Sequence, residues 1–78
     1  MIYPVKINSE ESIVVIYDWL NEYIGTMFED TIPPYLMEDV IRNFIASDAD
    51  WLEQFNSYGS FIYVKDINKA ILIKLTWG

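Results

Sequence analysis

The spacing of apolar residues changes along this chain, and the change limits most strongly what the chain can fold into. Between Ile13 and Met27 apolar residues recur every three or four positions, the period of a helix that packs on a core through one face. From Ser60 onward the period changes to two, which is the period of a strand. A chain that switches between these periods is expected to combine helices with a sheet.

The pattern predicts six elements in the order β-α-α-α-β-β. A short strand over residues 1–7 is followed by a helix whose cap is Asn8 or Ser9. Gly25 either ends this helix or lies on its polar side. Pro34 is well placed as the first residue of the second helix, because proline fits the first turn of a helix.

The second helix is expected to end near Ser47, where Ser47 and Asp50 resemble a capping box that opens a short third helix ending by residues 57–59. Two strands and the turn between them are predicted to complete the chain, over residues 60–66, 71–77 and 66–69 respectively. These elements predict a single α+β domain over residues 1–78. In it, three helices cover one face of a small three-stranded sheet, either antiparallel or mixed.

The composition predicts a folded domain without covalent or metal support. Hydrophobic residues make up 53% of the 78 positions, which is typical of a packed core and not of a disordered acidic tail. The absence of cysteine and histidine excludes disulfides and the familiar Cys/His zinc sites. The aromatic residues expected in the core are Tyr17, Phe44, Trp51, Phe55, Phe61 and Tyr63. A small monomer cannot easily hide so many large apolar groups, so we expect a homodimer.

The sequence also indicates where the protein acts. No segment approaches the ~18 to 20 apolar residues that span a membrane, and the N-terminus lacks the basic-then-apolar order of a signal peptide. We therefore expect a cytoplasmic protein that does not use a membrane. A net charge of −7 argues against direct binding of nucleic acid or anionic lipid, since both are polyanions.

Charge is segregated along the chain. Between residues 10 and 53, eleven acidic residues accompany a single base, Arg42, whereas the two flanking segments hold four lysines and one aspartate. Arg42 follows Glu38 by four positions, so we expect these two to pair and leave the acidic field largely intact. If the first helix continues through Gly25, four carboxylates form a row opposite its apolar face: Glu11, Asp18, Glu22 and Glu29.

A second acidic cluster is predicted around the start of the third helix, at Asp48, Asp50 and Glu53. Four further acids surround the loop that contains the two prolines: Glu29, Asp30, Glu38 and Asp39. The whole helical layer would then be negative. The candidate partner-binding residues are Glu11, Asp18, Glu22, Glu29, Asp30, Asp48, Asp50 and Glu53.

Catalysis is not expected. The chain lacks histidine, cysteine and a glycine-rich phosphate loop, and its core is too small for a sizeable pocket. Asp48, Asp50 and Glu53 could in principle hold a divalent cation, but further oxygen ligands and the glycine of a calcium loop are missing. We therefore predict neither a metal nor a cofactor.

Two interpretations of the acidic layer remain open. Many soluble domains carry acidic, solvent-facing helices without any partner, because charge keeps a protein dispersed. Alternatively, a rigid acidic surface can occupy a groove built for nucleic acid, because the lysines and arginines that bind phosphates also accept carboxylates. Affinity would then come from a few packed anchors, for which Trp19, Tyr23 and Tyr35 are candidates.

In size, acidity and folded character, with dense acids mounted on helices between Glu10 and Glu53, the chain resembles the DNA-mimic inhibitors that bacteriophages make against host proteins. This resemblance covers the whole chain and implies inhibition of a basic host DNA-binding protein, for instance a nucleoid-associated protein, a sliding clamp or a nuclease. The alternative is an antitoxin, immunity protein or adaptor that binds a protein without mimicking DNA.

Overall fold

A computed structural model describes residues 1–29 and 37–78 of the chain. In chain order, its elements are β1 (Tyr3–Lys6), α1 (Ile13–Tyr23), α2 (Met37–Ala46), β2 (Trp51–Asn56), β3 (Gly59–Val64) and α3 (Ile67–Trp77). The predicted α+β class, with three helices and a three-stranded sheet, is confirmed for this part of the chain, and the sheet is antiparallel. The predicted order is wrong, because these elements follow the order β-α-α-β-β-α.

β3 is the central strand and pairs with β1 on one side and β2 on the other. The strand predicted over residues 1–7 is therefore confirmed as β1, an edge strand. The Ile7 N–H donates to the Ser60 carbonyl at 2.9 Å, and alternate residues of an antiparallel strand face opposite edges. The nitrogen of Pro4 consequently lies on the open edge, where the ladder needs no N–H.

The boundaries of the first two helices show how local capping decides them. α1 begins later than predicted, because Ser12, and not Asn8 or Ser9, is its N-cap. Gly25, with a φ of +133°, follows directly on the C-cap, so the interpretation in which it ends the helix is correct. The predicted end of the second helix is confirmed to within one residue, whereas its predicted start at Pro34 lies outside the described residues.

The predicted third helix is wrong, since β2 occupies that part of the sequence and pairs along its length with β3 in a hairpin. The Ser47 hydroxyl does accept from the Ala49 N–H, as a cap would. Asp50, the other half of the predicted capping box, instead accepts from the N–H of Thr26, 24 residues away. Backbone pairing with β3 therefore overrides the local capping signal.

The last predicted strand, residues 71–77, is also wrong, because these residues belong to α3. Asp66, which the sequence places in a turn, is the N-cap of this helix, and its carboxylate accepts from the Asn68 N–H at 2.8 Å. Ala70 and Ile73 are the buried residues of α3. Apolar residues fill most of its positions, so a period of two and a helical period fit the same sequence equally well.

The sheet carries a hydrophobic cluster on each face. The larger cluster joins α1 and α3 to the sheet and consists of Val5, Ile16, Leu20, Ile24, Trp51, Ile62, Val64, Ala70 and Ile73. The smaller cluster joins α2 to the sheet and consists of Val40, Phe44 and Leu52. Trp51 and Leu52 are neighbours in β2 and belong to different clusters, as expected for side chains that alternate across a strand. The prediction that the helices cover one face is therefore wrong.

The aromatic residues predicted in the core divide into three groups. Trp51 and Phe44 are fully buried, one in each cluster. Three more are half-buried: Tyr17, Phe61 and Tyr63. The prediction for Phe55 is wrong, because this side chain is 76% exposed near the end of β2. Phe55 pairs with Ser60 next to the turn of the hairpin, where little of the sheet remains for it to pack against.

Candidate protein-binding surface

Four exposed carboxylates on α1 and the loop before it form what we call the acidic α1 surface: Glu10, Glu11, Asp18 and Glu22. The sequence from residue 7 to residue 29 contains no lysine or arginine. The two salt bridges found among the described residues, Arg42–Asp39 and Lys69–Asp50, both lie elsewhere. The negative charge of the acidic α1 surface is therefore not neutralised by a neighbouring base in that part of the chain.

The outer side of α1 is both acidic and apolar. Val14, Val15, Asp18 and Glu22 fall within about 100° of one another around the helix axis, on the side away from the core. Asp18 and Glu22 lie one turn apart, roughly 6 Å along that axis. Val14 and Val15 are 61% and 47% exposed. This side of α1 therefore offers a protein partner both charged and apolar groups to contact.

The predicted row of four carboxylates is wrong in part. α1 begins after Glu11 and ends before Glu29, so of the four only Asp18 and Glu22 lie on the helix. Glu11 precedes the cap, and its N–H donates to Ser9 Oγ at 3.1 Å. Glu29 is exposed beyond the segment that bridges to β2. The turn after α1 therefore separates Glu29 from the helical row.

The second predicted acidic cluster does not form one surface. Asp48 is exposed, but the Asp50 carboxylate accepts from the Thr26 N–H at 2.8 Å and lies 3.5 Å from Lys69 Nζ. These contacts attach the segment after α1 to the start of β2 and to α3. Asp50 therefore has a structural role that sequence reasoning missed, and Asp30 lies outside the described residues.

Glu53 also makes an internal contact, because the Tyr17 hydroxyl donates to Glu53 Oε1 at 2.6 Å. Glu53 Oε2 is buried and has no hydrogen-bond partner within the described ranges. Burial, followed by the hydrogen bond to Glu53 and the charge of that carboxylate, raises the pKa of Tyr17 to about 12. The contact joins α1 to β2, so the geometry places Glu53 in the packing between them and not on an open surface.

The candidate aromatic anchors have different environments. Trp19 is half-buried and packs edge-on against Trp77, with ring centroids 5.9 Å apart. Trp19 also packs against Tyr23, with ring centroids 5.1 Å apart. Tyr23 is 55% exposed and thus accessible at the C-terminal end of α1, whereas Tyr35 lies outside the described residues. Trp19 therefore holds α1 against α3, and Tyr23 is the more accessible of these two anchors.

The single base of the acidic segment forms a different pair from the one predicted. Arg42 Nη1 lies 3.4 Å from Asp39 Oδ1, one turn earlier on α2, and not against Glu38. Both partners are largely exposed, so the pair contributes little to stability. Lys65 also has an internal partner, since its ammonium donates to the Ser47 carbonyl at 2.7 Å.

The outer side of α3 is apolar, which sequence reasoning missed because residues 71–77 were predicted to form a strand. The exposed apolar residues of this side are Ile67, Ile71, Leu72 and Leu75, with exposures of 51%, 51%, 41% and 80%. The signal that could have found them is the spacing of Ile67, Ile71 and Leu75, which lie four residues apart and share one side of a helix.

A polar groove of about 490 Å³ lies between the loop before α1 and the end of α3. Glu10 and Glu11 line one side, and Thr76 and Trp77 line the other. The groove is wide open, so it extends the acidic α1 surface and does not enclose a small molecule.

In residues 1–29 and 37–78 no group of three or more acidic, histidine or cysteine side chains is arranged to hold a metal ion. Among the helices described, none is long and apolar enough to cross a membrane. The chain matches no protein-family model, no curated protein and no solved structure. A function must therefore be argued from the geometry of the exposed surfaces.

Proposed function

We propose that this chain is an acidic binding protein that inhibits a basic nucleic-acid-binding protein by occupying its nucleic-acid site through the acidic α1 surface. The observation that carries the proposal is the charge of that surface, four exposed carboxylates in a segment without a base. Lysine and arginine side chains that bind phosphates also accept carboxylates. The target class is that of nucleoid-associated proteins, sliding clamps and nucleases, which implies a cytoplasmic location and a role in binding without catalysis.

The rigidity of α1 supports this proposal. The inner side of the helix is anchored by Ile16 and Leu20, which are 2% and 0% exposed. Asp18 and Glu22 therefore project from a backbone whose position is already determined before binding. Preorganisation of this kind reduces the entropy lost on association and lets the carboxylates meet fixed cations.

A second candidate is a protein-interaction module that does not mimic nucleic acid, such as an antitoxin, an immunity protein or an adaptor. The exposure of Val14 and Val15 beside the carboxylates favours this candidate, since apolar side chains suit a partner with apolar pockets. The two candidates differ in their response to salt. Binding dominated by carboxylates weakens steeply as salt rises, whereas an apolar contact does not.

The test is capture of partners by the tagged protein from a bacterial lysate, with elution by salt or by duplex DNA and identification by mass spectrometry. We expect a basic nucleic-acid-binding protein that duplex DNA displaces. The affinity of the purified target for the double variant Asp18→Lys, Glu22→Lys should then be at least tenfold lower than its affinity for the native chain. Both side chains are exposed, and each charge reversal replaces attraction by repulsion.

The matched control is the double variant Glu38→Lys, Asp39→Lys on α2. It changes the net charge by the same amount on exposed residues of the opposite face of the sheet. The control should bind the target within about twofold of the native chain. Equal losses in both variants would mean that net charge, and not the acidic α1 surface, governs binding. A target that duplex DNA does not displace from the tagged protein would favour the second candidate.

A further inference from the structure

α3 is apolar on two sides, of which only the inner one is buried within residues 1–29 and 37–78. Its inner side contributes Ala70 and Ile73 to the larger hydrophobic cluster. Its outer side carries Ile67, Ile71 and Leu75, at least half exposed in each case. A row of exposed apolar side chains on one side of a helix is suited to contact with a partner.

The three outer residues form one ridge. Successive members lie four positions apart, so the ridge runs about 12 Å along the helix and is symmetric about Ile71. Ridges of this i±4n type interdigitate in the commonest class of helix packing, which crosses at about −50°. In an antiparallel pair, Ile67 of each copy would lie against Leu75 of the other copy, and the two Ile71 side chains would meet at the centre. The ridge is therefore complementary to itself.

Charge restricts which surface of the chain a second copy can approach. Two copies with a net charge of −7 repel each other most where acids are concentrated. The segment from residue 65 to residue 78 is the exception, because it contains three lysines and one aspartate. That aspartate, Asp66, is the N-cap of α3 and directs its carboxylate to the Asn68 N–H. The α3 ridge is thus both the most apolar and the least acidic helical surface in the described part of the chain.

We propose that two copies of the chain pair through α3, antiparallel about a two-fold axis near Ile71. An isologous contact of this kind is the commonest basis of homodimers. It covers the exposed ridge with a surface of the same chemistry and joins the two copies through a segment that contains one acidic residue, Asp66.

The size of the molecule allows such an interface. A stable dimer buries roughly 800 Å² on each partner, which is about 15% of the 5209 Å² surface of the chain. The ridge alone is too narrow to supply that area. The contact must also include Leu72, which is 41% exposed beside the ridge, and the side chains that flank the ridge on either side.

Sedimentation equilibrium over a range of protein concentrations tests the proposal. The native chain is expected to show twice the 9.2 kDa mass of one copy. The double variant Ile71→Lys, Leu75→Lys is expected to show the mass of one copy, because it places charges in the centre of the contact. Both side chains are exposed, so the circular dichroism spectrum of the native chain should be retained.

The matched control is Val14→Lys, Phe55→Lys, which replaces two exposed apolar side chains outside α3 by lysine. This control should remain dimeric. If the native chain shows the mass of one copy at every concentration, the proposal is overturned, and the α3 ridge would then bind a different partner. A dimer that survives the Ile71→Lys, Leu75→Lys changes would overturn it as well.

Crosslinking tests the antiparallel arrangement independently, because the chain has no cysteine of its own. Ile71→Cys should crosslink to itself with a short bifunctional maleimide. Leu75→Cys should crosslink poorly to itself and well to Ile67→Cys in a mixture of the two variants. Efficient crosslinking of Leu75→Cys to itself would instead indicate a parallel pair and overturn the proposed axis.

Discussion

Tyr17 and Glu53 show that a carboxylate predicted to bind a partner can instead form a hydrogen bond within the fold. Their side chains are joined by a hydrogen bond of 2.6 Å between α1 and β2, and Tyr17 also packs on Trp51 with ring centroids 5.8 Å apart. Tyr63 and Gln54 form a second bond of the same length. The two bonds differ in the acceptor, which is a carboxylate in the first and a neutral amide in the second.

We predict that Tyr17→Phe destabilises the chain by about 1.5–3 kcal/mol, since it removes a hydrogen bond to a charged group. The loss also leaves Glu53 Oε1 without its observed donor, beside an Oε2 that has no partner within the described residues. Unfolding in urea measures the change. Tyr63→Phe is the control and should lower the free energy of unfolding by only about 0.5–1.5 kcal/mol, because its acceptor is neutral. Equal losses in the free energy of unfolding would mean that the charge of Glu53 does not strengthen its hydrogen bond with Tyr17.

The same contact predicts a dependence on pH. The pKa of Tyr17 is about 12 in the folded chain against an ordinary value of 10.0, so the folded state holds the phenolic proton more tightly than the unfolded state. The stabilising effect is therefore complete below pH 10 and is lost as pH rises towards 12. Burial also raises the pKa of Tyr63. The free energy of unfolding should fall between pH 10 and 12 in the native chain, and should fall less in Tyr17→Phe.

At the scale of elements, α3 depends on its cap and on its packing. A helix of 11 residues is marginal by itself, so α3 forms because Ala70 and Ile73 are buried and because Asp66 caps its first turn. Lys74 lies in its last turn, where a positive charge meets the carbonyl end of the helix. These features outweigh the alternating pattern that predicts a strand.

We expect Asp66→Ala to lower the free energy of unfolding by about 1 kcal/mol, because the Asn68 N–H loses its acceptor. Thermal or urea unfolding measures the loss. Asp66→Asn keeps a side-chain oxygen at the same position and should restore most of the stability. If asparagine were as destabilising as alanine, the capping bond would not be the source of the stability.

At the scale of the whole molecule, segregated charge gives the two proposed surfaces opposite responses to salt. In the proposed complex the acidic α1 surface attracts a basic target, and screening would weaken that attraction. In the proposed dimer the α3 ridge joins two copies that each carry a net charge of −7, and screening would weaken their repulsion. The Debye length falls from about 10 Å at 0.1 M salt to about 3 Å at 1 M, so both effects lie within an accessible range.

We predict that rising salt strengthens the dimer while it weakens target binding. The dissociation constant of the dimer is measured by sedimentation and that of the target complex by calorimetry, in the same series of buffers. The Ile71→Lys, Leu75→Lys variant, which is expected to be monomeric, should retain the salt response of target binding. A dimer that weakens with salt would indicate that ion pairs, and not the apolar ridge, hold the copies together.

Sequence alone determined the features that depend on neighbouring residues. The helical period after Ile13 predicts α1, and the apolar stretch before Asn8 predicts β1. Gly25 ends α1 in one of the two interpretations that the sequence allows. The α+β class and the concentration of acids before residue 53 follow from composition and order. Each of these features is set by contacts or charges that lie close together along the chain.

Only the tertiary structure decided β2, α3 and the roles of the carboxylates, because each depends on groups far apart in the sequence. Trp51 donates its indole N–H to the carbonyl of Gly25, 26 residues earlier, and β2 forms beside β3. The carboxylate of Asp50 accepts a hydrogen bond from Thr26, 24 residues earlier in the chain, and that of Glu53 accepts one from Tyr17, 36 residues earlier. Short apolar segments fit both helix and strand, so burial and pairing choose between the two. The same long-range packing determines which carboxylates and which side of α3 remain exposed for a partner.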